Sequence, residues 1–172
     1  SGCGKTSLAR AGLIPLLSRD LTAPVYVDAT PRETESSLLE LIRRESGVDD
    51  AHIGLLDLLV SIRQGGHLPL KGRKLVLIID QFEQWLQARG GDHVGELFDA
   101  LGQCDGVHIQ ALLLVRDDFW MATTRLMSDL ENDLVPGKNL QPYDLFSLDH
   151  SEKVLTEIGR AFGALPKYPG HI

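Results

Sequence analysis

Gly2-Cys3-Gly4-Lys5-Thr6-Ser7, at the start of the chain, decides how everything after it is read. It is most of the pattern GxxxxGK(S/T), a loop whose backbone N–H groups surround a phosphate while a lysine supplies charge and a hydroxyl faces Mg²⁺. On that reading Gly2, Cys3 and Gly4 form the cradle, Lys5 faces the terminal phosphates and Thr6 faces the metal. Such a loop must run straight into a helix, because the unpaired N–H groups and positive dipole end of that helix face the anion. Ser7 to Ile14 is expected to supply it. The pattern's first glycine would stand two positions before Ser1. The chain is therefore read as a fragment whose first strand is missing, with a gap expected in the sheet. A short Gly-Lys-Thr match also arises as a plain glycine turn before an ordinary helix, so the loop needs a partner elsewhere in the chain.

Lys74 introduces Leu75-Val76-Leu77-Ile78-Ile79, five apolar residues without alternation, and Asp80 follows. A run of this kind fits a strand buried on both faces of a parallel sheet. A carboxylate at the tip of that strand suits Mg²⁺, a hard cation that prefers oxygen and keeps much of its water. Asp80 is thus the expected metal carboxylate beside Thr6. Two further strands are expected, at Val25–Val27 ending in Asp28 and at His108–Val115 ending in Arg116, with a last one between Leu140 and Leu148 interrupted by Pro142. Between them lie helical stretches. Thr30-Pro31-Arg32-Glu33 carries cap, first-turn proline and acidic signals at once, leading to Leu38, Leu41 and Ile42 on one face, with a stop at Ser46-Gly47. Leu55, Leu58, Leu59 and Ile62 repeat at helical spacing. Phe82, Trp85 and Leu86 form a stripe read as core rather than as a platform for a base, and Val94, Leu97, Phe98 and Leu101 continue the pattern. Phe119 to Leu130 is helical, and Asp149-His150-Ser151-Glu152 is a second capping box before Val154, Leu155, Ile158 and Phe162. The alternation of strands and helices implies a parallel, helix-flanked sheet in an α/β domain.

The 172 residues carry 24 acidic and 17 basic side chains, a net charge of −7, which disfavours non-specific binding to nucleic acid or to an anionic membrane. No apolar run is long enough for a membrane span, and Cys3 and Cys104 form no ligand-spaced cluster, so a cytoplasmic chain with reduced thiols is expected. The six histidines are scattered without metal spacing. Hydrolysis of a bound nucleotide would need a group to orient water. Glu83, three positions beyond Asp80, is the candidate, with solvated helix surface as the plain alternative. Arg116, at a strand tip, can reach a γ-phosphate or pair with a neighbouring aspartate.

Three stretches together resemble the novel STAND NTPases, bacterial members of the signal-transduction ATPases with numerous domains: residues 1 to 15, Leu75 to Gln84 and Leu112 to Phe119. The resemblance implies a three-layer αβα P-loop NTPase of the additional-strand type, with sheet order 5-1-4-3-2. It implies a core over residues 1–148 and the start of a helical lid over 149–172. It also implies an ATP/ADP switch with Mg²⁺ that self-associates and is joined to an effector (kinase, protease or TIR) and to a sensor such as WD repeats. Carried over by position, Gly2 to Ser7 bind the nucleotide, Thr6 and Asp80 hold the metal, and Glu83 and Arg116 are the catalytic pair. Gln84 stands where the family often has a second glutamate, which points to slow hydrolysis. The competing functions are a nucleotide-bound scaffold that does not hydrolyse and a motor ATPase of the AAA type.

Overall fold

A computed structural model describes residues 4–50, 52–65, 70, 72–90, 95–143 and 148–163. The chain divides into two compact units, one of Lys5–Gln141 and one of Ser1–Gly4 with Pro142–Ile172.

The larger unit is α/β. It is built on β1 (Thr22–Asp28), β2 (Lys74–Asp80) and β3 (Ile109–Leu113), in the order β1-β2-β3 and all parallel. Their register runs from Thr22↔Lys74 to Asp28↔Asp80 and from Leu75↔Ile109 to Ile79↔Leu113. Side chains alternate across a strand. Ala23, Val25 and Val27 therefore share a face with Leu75, Leu77, Ile79 and Ile109, and all seven are buried in one core. Helices α2 (Thr34–Ser46), α3 (Leu55–Arg63), α4 (Glu83–Arg89), α5 (Glu96–Leu101) and α6 (Trp120–Asp129) contribute Leu38, Ile42, Leu58, Trp85, Leu97 and Leu126 to it. Ile78 is buried on the opposite face, where Tyr26 and Val76 are half-buried. Among the described residues no strand pairs with the free edge of β3. No described helix is long and apolar enough to cross a membrane.

The helix expected from Ser7 to Ile14 forms with wider turns than expected. After α1 (Lys5–Ser7) the chain is π-helical over Leu8–Leu13 and 3₁₀ over Ile14–Leu16. The Ile14 N–H reaches back five residues to the Ala9 carbonyl, and Pro15, lacking an N–H, cannot continue a regular ladder. Thr30 makes the expected cap contact, its Oγ1 accepting the Glu33 N–H at 2.9 Å, but the regular helix begins only at Thr34, whose own hydroxyl is turned back onto the Thr30 carbonyl. Its end is the expected one, with Gly47 at φ +72° in the left-handed region.

The strand expected between Leu140 and Leu148 is absent over its described part. Leu140 makes only an isolated bridge to Pro136, and Pro142 removes the donor a ladder would need. Residues 144–147, like Val94 of the α5 stripe, lie outside the described residues. In the smaller unit, α7 (Leu148–Ala161) begins one residue before Asp149, which therefore stands inside the first turn and not at the cap. Leu155 and Ile158 are exposed along it, and Phe162 just beyond its end.

Asp105 starts β3. Its Oδ1 accepts the N–H groups of Val107, His108 and Ile109 at 2.9, 2.7 and 3.1 Å, and its Oδ2 lies 2.7 Å from His108 Nδ1. Burial by itself would raise this carboxyl, but the imidazole and the three amides outweigh it and hold Asp105 well below the usual carboxylate range. A depressed folded pKa adds stability that is complete above the unfolded value, about 3.9, and is lost as pH falls through the folded one. Asp105→Ala should cost about 1–2 kcal/mol at pH 7. In urea unfolding its gap to the native chain should narrow steadily in acid below about pH 4.

Candidate functional site at the strand tips

The carboxyl ends of β1 and β2 carry Asp28 and Asp80 side by side in register. In open α/β sheets ligands bind outside these ends. The helical segment after the loop lies against them. Thr6 Oγ1 donates to Asp80 Oδ2 at 2.5 Å, and Arg10 Nη2 meets Asp28 Oδ2 at 2.7 Å. The structure thus brings Thr6 and Asp80 together across 74 positions of sequence. Lys5 and Ser7 sit in α1 next to Thr6. Gly4 has φ +87°, which glycine adopts without strain. Gly2 and Cys3 lie outside the described residues.

Asp80 is only 2% exposed and is held from three directions. Oδ2 accepts from Thr6 and from the Tyr26 hydroxyl, 2.8 Å away, and Oδ1 accepts the Gln81 N–H at 2.7 Å. A carboxylate offers about four lone-pair positions, so one, on Oδ1, is left for a further partner. Gln81, directly after Asp80, carries φ +53°, a left-handed conformation unusual for a residue with a side chain. Here Mg²⁺ would meet hard oxygen donors of a kind it accepts, a hydroxyl and a carboxylate with one position open. Among the described residues there is no group of three or more His, Cys, Asp or Glu that could hold a metal by itself.

Glu83 and Arg116 meet through the backbone. Glu83, 5% exposed at the first position of α4, accepts the Arg116 N–H on Oε2 at 3.3 Å, tying that helix to the end of β3. The Arg116 guanidinium instead turns to Asp118 at 2.7 Å, with both side chains well exposed. Ion pairs this exposed contribute little, about 0–1 kcal/mol, so the arginine is cheaply released. Cys104 lies outside this cluster and is half-buried. Burial, with a smaller contribution from the Asp105 charge, pushes its thiol up to about 12.

Sequence reasoning gave no site role to three residues of this cluster: Arg10, Tyr26 and Asp28. The Tyr26 hydroxyl also lies 3.0 Å from Asp28 Oδ1, and the Arg10 guanidinium stacks 4.4 Å from the centre of its ring. Burial, then the hydrogen bonds to Asp80 and Asp28, push the phenol above its ordinary value, so the hydroxyl keeps its proton at neutral pH. Strand alternation was the available clue, since it places Tyr26 on the face opposite Val25 and Val27 and two residues before the tip. Two surface hollows beside α2, one lined by Arg43, Arg44 and Asp50 and the other by Arg32, Glu35 and Arg89, do not include Thr6 or Asp80.

Residues 1–153 match the family model described as Novel STAND NTPase 1. No curated protein and no solved structure matches the chain.

Proposed function

The chain belongs to the novel STAND NTPases, a family of nucleotide-binding P-loop proteins, and from that premise we propose that it is an ATP/ADP-binding regulatory switch whose slow hydrolysis resets it. The observation that carries this reading is the contact of Thr6 with Asp80, because the hydroxyl after the loop lysine and the carboxylate at the strand tip are the two groups a phosphate-bound Mg²⁺ needs from the protein. In this reading Gly2, Cys3, Gly4, Lys5, Thr6 and Ser7 hold the phosphates, and Thr6 and Asp80 hold the metal. Bound Mg²⁺ would supply charge neutralisation at the phosphates. Lys5 supplies a fixed positive charge at the head of α1, where helix N–H groups already favour an anion.

Glu83 is read as the group that orients water, and Arg116 as a sensor of the γ-phosphate that leaves Asp118 to reach it. The weakness of an exposed pair supports the second role. The sheet order β1-β2-β3 is compatible with the 4-3-2 part of a 5-1-4-3-2 sheet, whose first strand would take the free edge of β3. A core over residues 1–148 with a lid beginning at Asp149, self-association, and fused effector and sensor domains complete the proposal.

A single-turnover experiment on the full chain with radiolabelled ATP tests it. Slow release of labelled phosphate is expected, with Glu83→Gln about 10²-fold slower if Glu83 handles the proton. Bound ATP that stays intact at all times would make the chain a non-hydrolysing scaffold, and an unchanged rate in Glu83→Gln would remove Glu83 from the mechanism.

A further inference from the structure

The parallel register sets Asp28 and Asp80 next to one another at the strand tips, where two like charges repel unless something stands between them. Tyr26 stands there. Its hydroxyl has one hydrogen and two carboxylate oxygens within reach, Asp80 Oδ2 at 2.8 Å and Asp28 Oδ1 at 3.0 Å. It can serve only one of them fully. Asp28 has a second source of positive charge, the Arg10 guanidinium at 2.7 Å on its other oxygen, and Gln81 Nε2 at 3.5 Å adds a long contact. Asp80 has no cation among these contacts. The demand of Asp28 is thus met by Arg10, and the phenolic hydrogen is left for Asp80. Arg10 also stacks on the Tyr26 ring, so a single side chain fixes both the rotamer of the tyrosine and the direction of its hydrogen bond.

We propose that Tyr26 is a positioning residue for the Asp80 carboxylate, and that Arg10, through Asp28 and the tyrosine ring, directs the Tyr26 hydroxyl onto Asp80 and so sets how well that carboxylate takes up Mg²⁺. This rests on the reading of Asp80 as the metal carboxylate. Tyr26 touches neither nucleotide nor metal in this scheme. It acts by holding Oδ2, together with Thr6, so that the open position of Oδ1 keeps one direction. Arg10 lies four residues beyond Thr6 on the segment that follows the loop, and the same strap links that segment to the tip of β1.

The test is a titration of the full chain with a fluorescent ADP analogue, once with Mg²⁺ and once in EDTA, the readout being the ratio of the two affinities. Tyr26→Phe keeps the ring and its stack but loses the hydroxyl. It should lower that ratio about fivefold and leave binding in EDTA within about twofold of the native chain. Arg10→Gln alters an exposed side chain, so it tests the idea even where Tyr26→Phe proves poorly folded. It should lower the ratio in the same direction, by about two- to threefold. In an Asp80→Ala background Tyr26→Phe should have no further effect on the ratio, a coupling that general loosening of the fold would not produce. If Asp80→Ala lowers the ratio while Tyr26→Phe and Arg10→Gln leave it unchanged, the positioning role is overturned and the metal site stands. If Asp80→Ala itself leaves the ratio unchanged, the metal reading fails first.

Discussion

Asp80→Ala should erase most of the difference that Mg²⁺ makes to nucleotide binding, a loss of about 10- to 100-fold in Mg²⁺-supported affinity, which is the range of one charge-assisted contact. The carboxylate is buried, so nothing in the solvent can stand in for it, and its neighbours are held to it and not to each other. The same substitution leaves the Thr6 hydroxyl and the Gln81 N–H without their acceptor, while the Tyr26 hydroxyl still has Asp28 Oδ1 within reach. An abandoned buried donor costs about 1–3 kcal/mol, here opposed by relief of the repulsion from Asp28 in the neighbouring register position. Stability should therefore change less than metal dependence does. Asp80→Asn separates the two effects, because its amide oxygen restores part of the hydrogen bonding without the charge. It should recover urea stability and not Mg²⁺ dependence. Equal Mg²⁺ dependence in the native chain and Asp80→Ala would falsify the site.

Trp85→Ala should remove about 3–5 kcal/mol of stability, a large share of the 5–15 kcal/mol that holds a domain of this kind together. Trp85 is wholly buried, stacks on Phe82 with ring centres 5.3 Å apart and planes within 12°, and donates Nε1–H to Glu35 Oε1 at 2.9 Å. Arg89 closes the arrangement. It lies 5.0 Å from the centre of the ring and binds the same Glu35 oxygen at 2.6 Å. Removing the indole therefore opens a cavity and takes one of two donors from a carboxylate that joins α2 to α4. Trp85→Phe should fall between, since it keeps the stack and loses the hydrogen bond. The measurement is the urea midpoint followed by far-ultraviolet circular dichroism. A small shift would mean that the Phe82–Trp85 stripe is not the core that it looks to be in both sequence and structure.

Much of the larger unit was legible in advance where one local rule acted alone. The uninterrupted apolar run Leu75–Ile79 can be satisfied only by burial on both faces, and it is the middle strand. Phe82, Trp85 and Leu86 follow helical spacing and are buried as expected. Elements failed where two rules competed. Around Thr30 to Thr34 the cap contact and the helix start part company, because the Thr34 hydroxyl returns to the Thr30 carbonyl. Over Leu140 to Tyr143, the described part of another expected strand, Pro142 has no N–H to give a ladder and no strand forms. Of the candidate site residues, Thr6 and Asp80 were picked out by residue type and motif, and they are in contact. Arg116 could be assigned to a strand tip, but nothing local told its guanidinium to choose Asp118.

Residue order alone pointed to parallel strands, two of them ending in carboxylates, and to a lysine-threonine helix start, since hydrophobic run length, turn residues and capping chemistry act within a few positions of one another. Only the tertiary structure decided which of those ends face each other. Asp28 and Asp80 are neighbours because β1 and β2 pair from Thr22↔Lys74 onward, and Arg10 and Tyr26 join them because side chains far apart in sequence meet there. Register and rotamer are settled by packing between elements, and no window of sequence contains both partners.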